Sequence, residues 1–489
     1  MEQPSIKIMR IIILLFFWSL GINLYSQEPF LKLDAFLKEN EKVDFLLPLS
    51  STDSDKFCLF FIDSKNTINY LFDKEGSIIS SYTSEIKKNT YENFLGNIFL
   101  EDSVIIFFSN NNKSKLSASS FNFNEKTTEH FEIDLQLKEE RFLFQFEKNN
   151  HIYFITIKEK DSNFKIYSID AKGSIIQKEI KNPSLEYRDT KNNTVPLFDF
   201  LKDRVNVNDD FEIPFIQGSI PPTLNITRHL MKAYPTEEGC TLVVDKSKNI
   251  TYTFEFNIKD NTVNVKRFLA PFVPEGLAYG QSNSFLFKDN LFQISTNSKT
   301  MSFSIKNLET EKELKQYTIT KENFFETFNL KVSKAITSKQ AEKETAKLLK
   351  MINTYSIGIS AKEIEQNTIQ IDFGSHIANY VTPEEAGLRS ALMSFGLAGG
   401  LMYALLSNNT TPNSAFLQYN KNAIIELNAL LNDDLEFMEG KKKIGVFENI
   451  RLQEEKFAKN ILEGVFKMNH KYYYVLYNQK ENYLKINCL

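Results

Sequence analysis

Gly239-Cys240-Thr241-Leu242-Val243-Val244 is followed by a polar turn, Asp245 to Asn249, and then by Tyr252, Phe254, Phe256 and Ile258 alternating with Thr251, Thr253, Glu255 and Asn257. Period-two alternation marks a strand with one buried face. Lys259-Asp260-Asn261 reads as a turn, after which Val263 and Val265 alternate again. The stretch is therefore a short antiparallel meander joined by Asn/Asp/Lys turns.

The same order returns on both sides. Phe285-Leu286-Phe287, Lys288-Asp289-Asn290 and Leu291-Phe292-Gln293-Ile294 repeat it. So do Phe142-Leu143-Phe144, Lys148-Asn149-Asn150 and His151-Ile152-Tyr153-Phe154-Ile155, and finally Phe466-Lys467-Met468, Asn469-His470-Lys471 and Tyr472-Tyr473-Tyr474-Val475-Leu476. The apolar strand after each polar turn begins near Cys58, Val104, His151, Cys240, Leu291 and Tyr472. The spacing is about 46 residues or a multiple of it, close to the blade period of β-propellers. One meander is marginal alone, whereas radial stacking buries both faces of each. The reading is an all-β, β-propeller-like chain of about seven antiparallel blades, with a missing copy between Leu291 and Tyr472. A β-sandwich pair is the alternative. The copies share pattern rather than identity, and no Trp-Asp, kelch double-glycine or Asp-box signature occurs.

The first residues set the compartment. Lys7 and Arg10 precede an apolar run from Ile11 to about Leu24, and Tyr25-Ser26-Gln27 ends it. This order is that of a secretory signal peptide, 1–26, with cleavage expected near Ser26 and an uncleaved anchor as the alternative. The Ser26-Gln27 junction resembles those of exported proteins of Bacteroidota. The expected location is periplasmic, outer-membrane-associated or secreted. The only Trp, Trp18, lies in this leader. A mature chain without Trp lacks the large rigid ring that favours sugar stacking.

The chain of 489 residues has a net charge of −4; Glu2, Lys7 and Arg10 make the leader +1 and the remainder −5. A weakly acidic chain without a basic block argues against nucleic acid as partner. With 43 Phe, 20 Tyr and 42% hydrophobic residues it has ample core material. The three cysteines, Cys58, Cys240 and Cys488, cannot all pair within one chain. Cys58 and Cys240 hold equivalent repeat positions, which predicts separate blades and no bridge between them.

The domain expected over 27–489 carries three irregularities. Asn182 to Pro235 reads as a degenerate blade or an inserted loop, its prolines opposing central-strand pairing. Ser338 is placed to cap a helix over Lys339 to about Asn353 (338–355 with its flanks), striped by Leu348, Leu349 and Ile352. Strands are expected at Ser356–Ser360, Asn367–Phe373 and near Ala415–Tyr419, and a second helix over Asn449 to Leu462. The segment 382–412 begins with a strong helix start, Thr382-Pro383-Glu384-Glu385. From 386 to 406 it holds one charge, Arg389, and is apolar all round. Leu388, Leu392, Phe395, Leu401, Met402 and Leu405 are the candidate partner or membrane contacts; burial against the β domain is the plainer reading of the same residues.

Candidate chemistry is sparse. Ile371-Asp372-Phe373-Gly374-Ser375-His376 gathers Asp, Ser and His, but adjacency in sequence points side chains apart and no nucleophile elbow surrounds Ser375; a turn after a strand accounts for Gly374 and Ser375. Asp53-Ser54-Asp55 and Asn208-Asp209-Asp210 lack the Gly and distal Glu of a calcium loop. The five histidines, His130, His151, His229, His376 and His470, have no zinc spacing. No catalytic residue, cofactor site or metal site is assigned. The expected function is an exported, non-enzymatic propeller that binds a protein partner. The alternative is a propeller hydrolase or lyase acting on an extracellular polymer with carboxylates at the central channel.

Overall fold

The computed structural model describes residues 29–489 apart from 39–40, 42, 51–54, 64, 86–92, 111–112, 114, 184, 203–212, 217–219, 248, 272–279, 329–337, 366, 378–415, 417–422, 441 and 454–460. The stretch around Gly239 forms the second, third and fourth strands of one sheet: Gly239–Val244, Ile250–Asn257 and Thr262–Leu269. Met231–Pro235 is the first. Six other four-stranded sheets share this up-and-down order, so the fold is a seven-bladed β-propeller. Blades 1 to 5 span 45–85, 93–133, 140–180, 231–269 and 281–320; blade 6 spans 356–438 and blade 7 begins at 461.

Blade 7 has three strands of its own. Its fourth is Leu31–Asp34, which pairs antiparallel with Tyr483–Cys488, Leu31 against Ile486 and Asp34 against Tyr483. The start of the described chain thereby closes the ring onto its end. The six repeat markers fall on second strands: Lys56–Ile62, Ser103–Ser109, His151–Lys158, Gly239–Val244, Asn290–Thr296 and Lys471–Asn478. The seventh second strand, Thr368–Ile377, lies in the interval between Leu291 and Tyr472.

The core sits between blades rather than within any one of them. Phe57, Phe61 and Phe72 of blade 1 pack with Phe466, Val475 and Tyr477 of blade 7. Cys58 and Phe60 face the other way, onto Phe94, Val104 and Phe108 of blade 2. Further clusters join blades 2 and 3, blades 3 and 4, and blades 4 to 7. This is why a second strand such as Gly239–Val244 is buried along its whole length. Both of its faces meet a neighbouring blade, so its residues need not alternate. Outer strands such as Thr262–Leu269 keep alternation because one face meets water.

Several local expectations change. The helices of the described residues are α1 (Leu197–Lys202), α2 (Leu224–Thr227), α3 (Phe324–Thr327), α4 (Ser338–Thr354) and α5 (Val446–Gln453). The long helix α4 stands where it was expected, burying Ala341, Thr345, Leu349 and Ile352. The helix expected over 449–462 is α5 instead, and Ile461–Met468 is the first strand of blade 7. The sequence Phe466-Lys467-Met468 belongs to that strand, and a repeat strand needs its full length to span the blade. Of the strand expected near 415–419, Phe416 is helical and the rest lies outside the described residues; the third strand of blade 6 is Ala423–Leu431. Gly374 and Ser375 are not a turn but lie inside Thr368–Ile377, paired with Gly358 and Ile357.

Candidate functional site

In an up-and-down sheet, hairpins one-two and three-four emerge on one face of the ring. Turns two-three and the links between blades emerge on the other. The first face carries tight turns. Asp73 Oδ1 accepts from the amides of Glu75 and Ser77, and Asp170 Oδ1 does the same for Lys172 and Ser174. Gly76 and Gly173 supply the left-handed residue of these turns. At the second face the links 181–230, 270–280, 321–355, 378–422 and 439–460 leave and re-enter the sheets, and it carries all five helices of the described residues. We call it the connection face.

Beneath this face a buried polar seam joins blades 4, 5 and 6. Lys232 starts blade 4 and Asp245 ends its second strand, so antiparallel pairing returns both to one end of the sheet. Their side chains are 0% and 1% exposed and meet at 3.2 Å. Lys232 Nζ also donates to His229 O (2.5 Å) and Asn283 Oδ1 (2.8 Å), which satisfies all three of its protons. Asp245 accepts from Thr251 Oγ1 (2.7 Å), Ser284 N (3.0 Å) and Ser284 Oγ (2.8 Å). Asn283 Nδ2 then donates to Arg228 O (3.0 Å) and Ile357 O (2.9 Å), reaching blade 6. Burial lowers the Lys232 ammonium against the opposing pull of Asp245. It also holds His229 well below the usual imidazole range, helped by the charges of Arg228, Lys232 and His376. Lys232, Asp245 and Asn283 are enclosed and hydrogen-bonded to one another and to their neighbours, an arrangement suited to fixing three blades beneath the face.

The polar turn from Asp245 to Asn249 begins inside the fold: Asp245, Lys246 and Ser247 are buried. Neither partner of the ion pair stood out in the sequence. The signal available was an acid and a lysine at the ends of adjacent, otherwise apolar strands.

The inner end of blades 3 and 4 is also occupied by the chain itself. Residues 213–216 of the link between them run along Met231–Pro235 through a parallel bridge, Phe215 to Ala233. Ile216 N donates to Ala233 O (2.7 Å), and Ala233 N to Pro214 O (2.9 Å). Pro214 therefore takes part through its carbonyl alone, which reconciles a proline with strand pairing. Phe215 stacks on Phe146 at 5.1 Å and 8°. The link as a whole is a hairpin, Tyr187–Arg188 with Thr194–Val195, followed by α1, α2 and this wedge.

On the inner strand of blade 3, Glu147 accepts from Asn97 N of blade 2 at 2.7 Å. It keeps exposed surface although protein encloses it, the situation of a side chain in a narrow wet opening. The enclosure raises its carboxyl to about 7, against the lowering hydrogen bond. Because water reaches the group, exposure is the better guide to its energetics, and the effect concerns protonation more than stability.

The remaining sequence candidates are dispersed. Asp372 accepts from Lys362 Nζ (3.1 Å), Gln370 Nε2 (2.7 Å) and Asn428 Nδ2 (2.7 Å). Ser375 lies an odd number of residues from it in the same strand, hence on the opposite face, so the two do not converge. His130 bonds Ser119 (2.8 Å), while His151 bonds the carbonyl of Asn149 at its turn (2.8 Å). His470 holds a left-handed turn position. His376, far from His229 in sequence, lies close enough to disfavour a charge on it. Asp55 pairs with Lys74 at 2.8 Å. No group of three potential metal ligands occurs among the described residues. Cys58 and Cys240 are free and buried in blades 1 and 4, and Cys488 is free and half-buried. Burial raises the thiols of Cys58 and Cys240. Leu388, Leu392, Phe395, Leu401, Met402 and Leu405 lie outside the described residues, as do 1–28, Asp53 and 208–210. Among the described residues no helix is long and apolar enough to cross a membrane.

No family model matches the chain, and no curated protein does. Among solved structures it is similar to the β-propeller domain of Nup133 from Vanderwaltozyma polyspora, at 10% identity over 91% of this chain and 100% of that one, with a TM-score of 0.32. A post-proline cleaving enzyme from Rickettsia typhi matches at 10% identity over 90% of this chain and 49% of its own, TM-score 0.29. An ACO/RPE65 chimera matches at 9% identity over 56% of this chain, TM-score 0.27, and this chain spans 61% of its length. TM-scores this low carry no argument about function.

Proposed function

We propose that this chain is an exported β-propeller that binds a protein partner through its connection face. The observation that carries the reading is the concentration of every long link, with all helices of the described residues, on one face of a ring whose other face has tight turns. Binding residues sit disproportionately on loops held by a rigid scaffold. The buried seam of Lys232, Asp245 and Asn283 supplies that rigidity directly below. Export rests on the leader-like order of residues 1–26.

The arrangement gives less support to a hydrolase or lyase at the channel. Glycoside hydrolysis by carboxylates needs two acids facing one substrate. Among the described residues the enclosed acids Glu140, Asp245 and Asp372 are each paired with a lysine of their own blade, Lys165, Lys232 and Lys362, whereas Glu147 of blade 3 accepts from Asn97 N and Glu463 of blade 7 from Tyr474 Oη. Segment 213–216 also occupies the inner end of blades 3 and 4.

Photocrosslinking in intact cells tests the reading. A crosslinker replacing Lys160 or Lys347 on the connection face should capture a discrete partner. The same group at Lys126 or Lys172 on the tight-turn face should not. Adducts from Lys126 and Lys172 alone, or none from any position, would overturn it.

A further inference from the structure

Six blades have an outer strand of four to eight residues; that of blade 6, Phe437–Met438, has two. The strand inside it, Ala423–Leu431, is nine residues long and pairs throughout with Thr368–Ile377. On its other side it pairs only at Leu430 with Met438 and Leu431 with Phe437. Among the described residues no strand runs along 423–429. The path of the chain supplies the reason. Gly440 passes so close over Leu430 that a Cβ there would stand 2.3 Å from Leu430 Cδ1. Lys443 N then donates to Gln370 Oε1, one strand further in, at 2.9 Å. The residues that would have continued the outer strand cross the face of the blade instead.

An unpaired strand edge offers a row of backbone donors and acceptors to an extended peptide. Among the described residues, the part without an outer neighbour is the half of the strand next to the connection face. Its side chains say what would fit. Leu427 and Ala429 pack against the core shared by blades 4 to 7, so neighbours on that side should be apolar. Glu426 is exposed on the other side, with Lys442 at 3.2 Å. A second copy of this chain is disfavoured as occupant. The register that covers 423–429 with the same residues of another copy sets Glu426 against Glu426, and directly opposed like charges destabilise.

We propose that 423–429 accepts an extended segment of a partner protein as the missing fourth strand of blade 6, antiparallel, with apolar residues beside Leu427 and Ala429 and a cation opposite Glu426. The proposal rests on the partner-binding reading and adds its mode. A probe exists within the chain: a synthetic peptide of Thr262–Leu269, the outer strand of blade 4. Set antiparallel, it places Lys266 opposite Glu426, Val265 opposite Leu427 and Val263 opposite Ala429.

Hydrogen exchange with mass detection on the full mature chain reads the outcome. The alternate amides of 423–429 that face away from Thr368–Ile377 should exchange quickly in the free protein. They should slow by about tenfold with peptide at about ten times its dissociation constant. A peptide with Pro at the Val265 position should give no protection. A Glu426→Lys protein should prefer a peptide with Glu at the Lys266 position. Protection of those outward-facing amides without peptide would show that the edge is already covered. That result, equal protection by the proline peptide, or no protection by either peptide would overturn the proposal. Crosslinking from Lys160 and Lys347 that persists alongside any of these would remove the strand mode and leave the partner reading standing.

Discussion

Lys232 and Asp245 show how much one buried pair can decide. Both are removed from water, and the lysine is stable there only because three acceptors surround it. Removing one partner of a buried pair leaves the other unpaired, at a cost of about 3–5 kcal/mol. Lys232→Met should therefore lower unfolding free energy by about that much in urea titration, whereas Lys126→Met, at an exposed turn, should change it by under about 0.5 kcal/mol. His229 adds a pH dependence. Its folded pKa lies below the unfolded value of about 6.5, so the unfolded chain takes the proton first. The stability from keeping it neutral is full above about 6.5 and falls as pH drops below that. His229→Leu should flatten the decline between pH 7 and pH 5 in urea titrations. Glu147 acts in the opposite sense. Its carboxyl is raised to about 7, so what it contributes is present at low pH and lost as pH rises through 7. Because water reaches the group, the readout is protonation: the Glu147 carboxyl should titrate at about 7 by NMR, and Glu147→Gln should change the melting temperature little.

At the scale of the element, the tight turns hold the blade pattern together. Asp170, Gly173 and Ser174 close the three-four hairpin of blade 3, as Asp73, Gly76 and Ser77 do in blade 1. Both turns lead into a pair of isoleucines, Ile78-Ile79 and Ile175-Ile176, a recurrence of residues as well as of pattern. Gly173 has φ +79°, and a Cβ on it would lie 2.9 Å from Phe131 Cε2. A left-handed non-glycine residue costs about 1–2 kcal/mol before that clash is relieved. Gly173→Ala should destabilise by at least about 1 kcal/mol in thermal or urea unfolding, with the rest of the blade intact. The outer strand of blade 6 is the counterexample. Nothing in the alternation of 423–431 announces that its neighbour stops after two residues, because the cause is a crossing at Gly440.

For the whole molecule, stability depends on closing the ring. Leu31–Asp34 completes blade 7, and its flanks carry Phe30 against Tyr473 (5.0 Å) and Phe36 against Tyr70 (4.6 Å). Deleting 29–36 strips a strand and two aromatic anchors from the seam between blades 7 and 1. Burial of one large side chain is worth about 1.5–3 kcal/mol, so losing several approaches the whole margin of a typical domain. The deletion variant should melt far below the intact chain or fail to accumulate folded; a melting temperature within a few degrees would show that the ring does not need this closure. Cleavage near Ser26 would leave the closing strand in place.

The sequence alone was enough for the blade pattern, because alternation and turn chemistry are local. A strand between two blades reads as a continuous apolar run, an outer strand as an alternating one, and both follow from which faces meet water. It also placed the long helix α4 and the interval holding the seventh second strand. It could not show that the ring closes through Leu31–Asp34, that 213–216 runs beside Ala233, or that Lys232, Asp245 and Asn283 meet. Nor could it show that the long links share one face or that, among the described residues, no strand runs along 423–429. Each of these depends on residues distant in sequence arriving side by side. What brings them together is the packing of whole blades, where side chains are buried by neighbours the local pattern does not contain.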